Sequence, residues 1–122
     1  MKLLLIDDDA FLRDMYAIKF TESGYEVAVA DGASAALSII RKDPDFDVIL
    51  LDMIMPGMSG VELIETINEK FPDMGAKCIV LSNQGQEEDV KEAKAAGAAG
   101  YIIKAESVPS DVVKKVEKLA KK

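Results

Sequence analysis

The sequence predicts an α/β domain, a doubly wound parallel sheet of five strands with helices on both faces. Three observations predict it. Two apolar runs, Leu3 to Ile6 and Val48 to Leu51, lack the alternation of a half-exposed strand and end in carboxylates, as strands buried on both faces of a parallel sheet can. The segments between strand-like runs carry apolar residues at helical spacing. The two patterns alternate five times with short connections, and right-handed crossovers turn such an order into a parallel sheet.

Each element follows from local chemistry. Leu3 to Ile6 ends in Asp7-Asp8-Asp9, and Ala10 to Ser23 then places Leu12, Met15, Tyr16 and Phe20 on one helical face, stopped by Gly24. Phe11 and Ile18 lie outside that stripe. Tyr25 to Ala30 alternates, with Val27 and Val29 on one side and Glu26 opposite, which suits a sheet edge. Asp31 is placed to cap a helix carrying Ala33, Ala36, Leu37 and Ile40 inward.

The run Val48 to Leu51 meets Asp52 and then Met55-Pro56-Gly57. Ser59 and Glu62 form a capping box that opens a helix with Leu63, Ile64, Ile67 and Phe71. Lys77 to Leu81 is the fourth strand and ends at Ser82-Asn83. Glu87, Glu88 and Asp89 suit the first turn of a helix from about Gln86 to Ala96, whose apolar face is thin, Val90 and Ala93. Tyr101 to Ile103 is the fifth strand, ending at Lys104. Pro109 opens a last helix with Val112, Val113, Val116, Leu119 and Ala120 inward.

Composition narrows the function. At 122 residues the chain has room for one core. Its 15 Lys plus Arg against 22 Asp plus Glu give a net charge of -7, which argues against a nucleic-acid backbone as partner. With no His, the Ser-His-Asp, Cys-His and zinc-hydrolase chemistries lose a required group. The single Cys78 lies in an apolar run and reads as a small buried hydrophobe, consistent with a reducing, cytoplasmic setting. No apolar span reaches membrane length and no signal-peptide pattern is visible, so no membrane association is expected.

Ligands of such sheets bind beyond the carboxyl ends of the strands. Asp7-Asp8-Asp9, Asp52, Ser82 and Lys104 follow strands one, three, four and five, and are therefore expected to share one site. Carboxylates within about 4 Å of one another repel by several kcal/mol at an effective dielectric near 20, so a cation belongs among them. Hard oxygen donors with room for water suit Mg²⁺. A carboxylate, a divalent cation, an ammonium and a hydroxyl together suit transfer of a phosphoryl group onto the carboxylate. The bland alternatives are that the aspartate run caps a helix and that Ser82 forms a turn. No glycine-rich phosphate loop is present.

Ile6-Asp7-Asp8-Asp9, Asp52 with Met55-Pro56-Gly57-Met58-Ser59-Gly60, Val80-Leu81-Ser82 and Gly100-Tyr101-Ile102-Ile103-Lys104, in this order, resemble the receiver domain of bacterial two-component response regulators over residues 1–122. The likeness is to single-domain chemotaxis regulators. It implies a flavodoxin-like strand order, 2-1-3-4-5. It implies that Asp52 accepts a phosphoryl group from a phosphohistidine on a histidine kinase or a histidine phosphotransfer protein. Asp7, Asp8, Asp52 and the backbone carbonyl of Ile54 would hold Mg²⁺, Lys104 would bind the phosphoryl group, and Ser82 and Tyr101 would be switch residues that reshape a surface for a downstream protein target. Ala105 stands where the family usually has a proline after a cis bond, and Asn83 replaces a smaller residue. Two other classes compete. One is a haloacid-dehalogenase-like phosphatase using Asp7-Asp8-Asp9, which leaves Asp52 unexplained and has Phe11 where that family has Thr or Val. The other is a receiver-shaped adaptor that binds without phosphorylation.

Overall fold

A computed structural model describes residues 1–83 and 85–121. The elements, in order, are β1 (Lys2–Ile6), α1 (Ala10–Glu22), β2 (Glu26–Ala30), α2 (Ala33–Lys42), β3 (Val48–Leu51), α3 (Gly60–Lys70), β4 (Lys77–Ser82), α4 (Glu87–Ala96), β5 (Gly100–Ile103) and α5 (Pro109–Ala120). A 3₁₀ turn, Lys104–Glu106, joins β5 to the last connection. All strand pairings are parallel, in the order β2-β1-β3-β4-β5. The expected fold class and strand order are both present.

The period-2 geometry of the strands divides the interior into two cores. Leu4, Ile6, Ile49, Leu51 and Val80 face α2, α3 and α4, meeting Ala36, Ile40, Leu63, Ile64 and Ala93. Leu3, Leu5, Val48, Leu50, Ile79 and Leu81 face α1 and α5, meeting Tyr16, Phe20, Val112 and Val116. β1, β3 and β4 need both faces apolar for this reason, and their sequences could not alternate. The Phe20 and Tyr25 rings pack edge-on, 5.1 Å between centroids, where α1 turns into β2.

Two local expectations are corrected. Asp31 does not cap α2: Gly32 is the N-cap and no side chain accepts a hydrogen bond there. In β2, Val27 packs on the α1/α5 side, but Val29 is exposed, and Ala28 and Ala30, on the side of Glu26, join the other core. An edge strand has a helix over only part of each face, so alternation overstates its burial. The Ser59 cap does form, its hydroxyl accepting from the Glu62 N–H at 3.2 Å.

Gly60 carries the connection from β3 to α3. Its N–H donates to the Met53 carbonyl at 2.8 Å, and a Cβ at this position would lie 2.4 Å from the Asp52 carbonyl oxygen. Alanine gains about 1 kcal/mol over glycine by helix propensity, but forcing a methyl into close-packed backbone costs about 1–3 kcal/mol. Overpacking wins because the obstacle is backbone. Gly60→Ala should therefore lower the urea midpoint of unfolding; a raised midpoint would show that the loop below Asp52 yields easily.

Candidate functional site

The order β2-β1-β3 reverses chain direction across the sheet between β1 and β3, leaving a crevice above their carboxyl ends. Asp7 and Asp52 follow these two strands directly, and the backbone ladder extends to both: Asp7 N–H donates to the Ala30 carbonyl at 3.1 Å and Asp52 N–H to the Ile6 carbonyl at 3.3 Å. The sheet thus sets the position of both carboxylates.

The aspartate run splits by role. Asp7 is only 2% exposed and points into the crevice. Asp9 is the N-cap of α1, its carboxylate accepting from the Leu12 N–H at 3.1 Å while its own N–H donates to Asp7 Oδ1 at 2.9 Å. Asp8, between them, is exposed and contributes an oxygen to the cluster: one oxygen each from Asp7, Asp8 and Asp52 lies within 4.8 Å of the others. Capping explains Asp9, not its neighbours.

Lys104 reaches this group from the end of β5. Its ammonium donates to Asp7 Oδ2 at 2.9 Å and to Asp52 Oδ2 at 3.1 Å, with the side chain almost fully buried. Burial alone would lower the lysine pKa, but hydrogen bonds to Asp7 and Asp52 and the charges of both more than offset it, so the value is raised. The lysine's contribution to stability is therefore fully present at neutral pH and is lost as pH rises above the ordinary lysine range, through the folded-state value. The other Asp52 oxygen, Oδ1, accepts from the Ile54 N–H at 3.3 Å, which fixes the carboxylate plane. Ile54 itself is exposed, its backbone on the loop just past Asp52.

Ser82 closes β4, 1% exposed, and Tyr101 sits half-buried on β5, paired in register with Val80. Side chains at Val80, Tyr101 and Ser82 share one face of the sheet. Burial raises the Tyr101 phenol above its usual pKa, opposed by a hydrogen bond with Ser82. The two hydroxyls are thus tied together. The Lys104–Ala105 peptide is trans, and the 3₁₀ turn that begins at Lys104 follows it.

Two neighbours escaped sequence reading. The Arg13 guanidinium donates to the Asp7 carbonyl at 2.9 Å. Tyr16, buried beneath, has its phenol pKa raised by burial first, with the Lys104 charge lowering it and the Asp7 charge raising it, which places the ring beside the pair. Arg13 and Tyr16 are three residues apart on α1 and so share a face. That spacing was the available signal, but Tyr16 read as ordinary core.

The side chains of Asp7, Asp8, Asp52 and Lys104 sum to a charge of -2, and their free donors are hard carboxylate oxygens. A divalent, oxygen-seeking ion fits this set.

A model of the response regulator receiver domain matches residues 3–117. The chain is 38% identical over 122 residues to chemotaxis protein CheY of Thermotoga maritima, covering 98% of each. To chemotaxis protein CheY of Treponema pallidum it is 35% identical over 121 residues, covering 98% of this chain and 80% of that one. Among solved structures, chemotaxis protein CheY4 of Vibrio cholerae superposes with a TM-score of 0.89 at 30% identity, with 97% of each chain covered. The chain belongs to the response regulator receiver domain family, whose CheY-type members are signalling domains.

Proposed function

We propose that residues 1–122 form one phosphoryl-accepting switch of a two-component phosphorelay, with Asp52 as the acceptor. The observation that carries this reading is the Lys104 ammonium bridging Asp7 and Asp52 beside Asp8. It also accounts for Asp52, which the phosphatase alternative leaves without a role.

An Asp52 carboxylate oxygen attacks the phosphorus of a phosphohistidine on a histidine kinase or phosphotransfer protein. The P–N bond breaks as the P–O bond forms, the imidazole leaves with the electron pair, and Asp52 becomes an acyl phosphate. Asp7, Asp8, Asp52 and the Ile54 carbonyl would hold Mg²⁺, which when bound neutralises charge on the transferring group. Lys104 moves its hydrogen bond from Asp52 Oδ2 to a phosphoryl oxygen, keeping its pair with Asp7. The Ser82 hydroxyl is hydrogen-bonded with Tyr101, and turning it toward a phosphoryl oxygen rearranges that bond. The Tyr101 phenol then seeks another environment, and the surface of α4, β5 and α5 changes with it.

No substrate turnover is proposed. This is a signalling domain acting through a downstream protein target, and the charge of -7 speaks against direct nucleic-acid binding. Among the described residues no helix is long and apolar enough to cross a membrane. A cytoplasmic place suits the buried Cys78, whose thiol burial pushes up to about 11.

Incubation with acetyl phosphate and Mg²⁺ should add one phosphoryl group, about 80 Da, to the wild type. Asp52→Asn or removal of the divalent ion should abolish the gain. Persistent labelling in Asp52→Asn would move the acceptor elsewhere, and partner binding indifferent to Asp52→Asn would favour the adaptor alternative.

Phe11, 76% exposed at the start of α1, belongs to no core and lies two residues beyond the Asp9 cap. Half-buried Met15 sits one turn on. Phe11→Ala should slow transfer from a cognate phosphotransfer protein several-fold and leave acetyl phosphate labelling unchanged; equal losses in both would make Phe11 structural.

The coupling to α4 also has a test. Ala93 is the only buried side chain of that helix, so α4 should open more readily than its neighbours. Beryllofluoride, a phosphoryl mimic, should alter amide exchange from Gln86 to Val108. Changes confined to the loops at Asp7, Asp52 and Ser82 would refute the relay through Tyr101.

A further inference from the structure

At the amino ends of the strands, opposite the acidic crevice, the loop before β3 and the loop between α3 and β4 line an open cavity of about 560 Å³. That volume falls within the roughly 300–1,000 Å³ of small-ligand sites. Its apolar lining includes the buried Phe46 ring and the half-buried Phe71 and Met74. Backbone bonds pin both walls: Asp47 N–H to the Lys2 carbonyl at 2.8 Å, Lys77 N–H to the Asp47 carbonyl at 3.0 Å, and Met74 N–H to the Phe71 carbonyl at 3.1 Å. Pro44 and Pro72 stiffen the loops further. The cavity is therefore preformed, and a ligand would lose little to ordering it.

Charge selects the ligand. Asp45, Asp47 and Asp73 line the cavity against one ammonium, Lys70, an excess of two negative charges. Asp47 accepts the Lys2 backbone N–H at 2.7 Å, whereas Asp45 and Asp73 are exposed and enter no ion pair among the described residues. The nearby Lys2 ammonium is engaged by Asp43 and Glu26. That same ammonium lies 4.9 Å from the centroid of the Phe46 ring, so this aromatic already supports one cation.

We propose that this cavity binds a small organic cation with an aromatic or branched aliphatic body. The body lies on Phe46, Phe71 and Met74, and the cationic group faces Asp45 and Asp73. A neutral body of the same shape uses only the walls, and an anion is repelled by the rim. β3 separates Asp47 from Asp52 by five residues at about 3.3 Å each, so the ligand does not touch the acidic crevice and can coexist with a group on Asp52.

The test is a ¹H–¹⁵N titration with 1-naphthylmethylammonium. Saturable shifts should centre on residues 44–47 and 70–75, with 1-naphthylacetate at least about tenfold weaker at low salt. The exposed pair Asp45→Asn and Asp73→Asn should together weaken the ammonium about tenfold with the rest of the spectrum preserved. Asp52→Asn should leave the affinity unchanged. Absence of saturable shifts in these loops, equal binding of the naphthylacetate, or loss of binding in Asp52→Asn would overturn the proposal; the last would show that the cation had gone to the acidic crevice.

Discussion

A single ammonium allows three strand ends to carry charge into one crevice. Asp7 and Asp52 are held by adjacent strands, and backbone geometry leaves neither room to retreat from the other. At an effective dielectric near 20, a unit charge at about 3 Å is worth about 5 kcal/mol to each carboxylate, enough to offset their mutual repulsion. Desolvating Lys104 opposes the arrangement, yet its pKa is raised, so the attraction exceeds the burial cost. This requirement explains why a lysine must end β5, two strands away from β3, with a stem long enough to cross β4. It also explains the neighbours. The Arg13 bond to the Asp7 carbonyl and the Asp9 N–H bond to its carboxylate bring further positive dipole to a residue that has almost no solvent.

The rest of the fold holds that constellation in register. Buried on both faces, β1 and β3 cannot slip by one residue without turning apolar side chains from one core to the other. The register pairs Ile6 with Leu51, so Asp7 and Asp52 follow at neighbouring strand ends. Gly60 presses α3 against the Asp52 carbonyl, and the Ile54 N–H orients the carboxylate. At the other end of β5, the close approach of Leu119 to Gly100 seats α5 directly on the strand that delivers Lys104.

How much of this was legible in the sequence depended on whether a residue's role is set by its own strand or by a distant neighbour. Asp7, Asp52, Ser82 and Lys104 each break an apolar run at its carboxyl end, and four such breaks at one end of a buried parallel sheet point to a site. The cap at Ser59 and the stop at Gly24 are local chemistry and were equally plain, whereas capping by Asp9 entered only as the bland alternative for the whole aspartate run. Asp31 failed because capping depends on a backbone turn that Gly32 takes instead. Val29 failed because burial at an edge depends on helix placement, not on alternation. Tyr16 and Arg13 acquire meaning only when α1 docks beside Lys104, and the bond between Ser82 and Tyr101 joins residues whose proximity the register sets. The cavity at Phe46 and Phe71 was invisible for the same reason, since two loops far apart in sequence build it.

On the proposed function, the charge arithmetic of the crevice also says why phosphorylation of Asp52 would be felt at a distance. Asp7, Asp8, Asp52 and Lys104 stand at -2, and conversion of Asp52 to an acyl phosphate adds about one more negative charge. Lys104 spends two of its three ammonium donors on the carboxylates, so it has one left for the several new oxygens. The Ser82 hydroxyl, at the end of the adjoining strand, is an uncharged donor, and it is already hydrogen-bonded with Tyr101. On that reading, a shortage of donors at one strand end would be passed to a half-buried aromatic on the next strand. Ala93 is the one fully buried residue of α4 beside it, and Gly85, in the loop before α4, lies so close to Ile103 that a Cβ would sit 2.8 Å from its side chain. On the proposed function the loop, β5 and α4 adjust together. Reciprocity follows from thermodynamics: any partner that prefers the adjusted surface stabilises the phosphoryl group by the same factor that the phosphoryl group strengthens its binding.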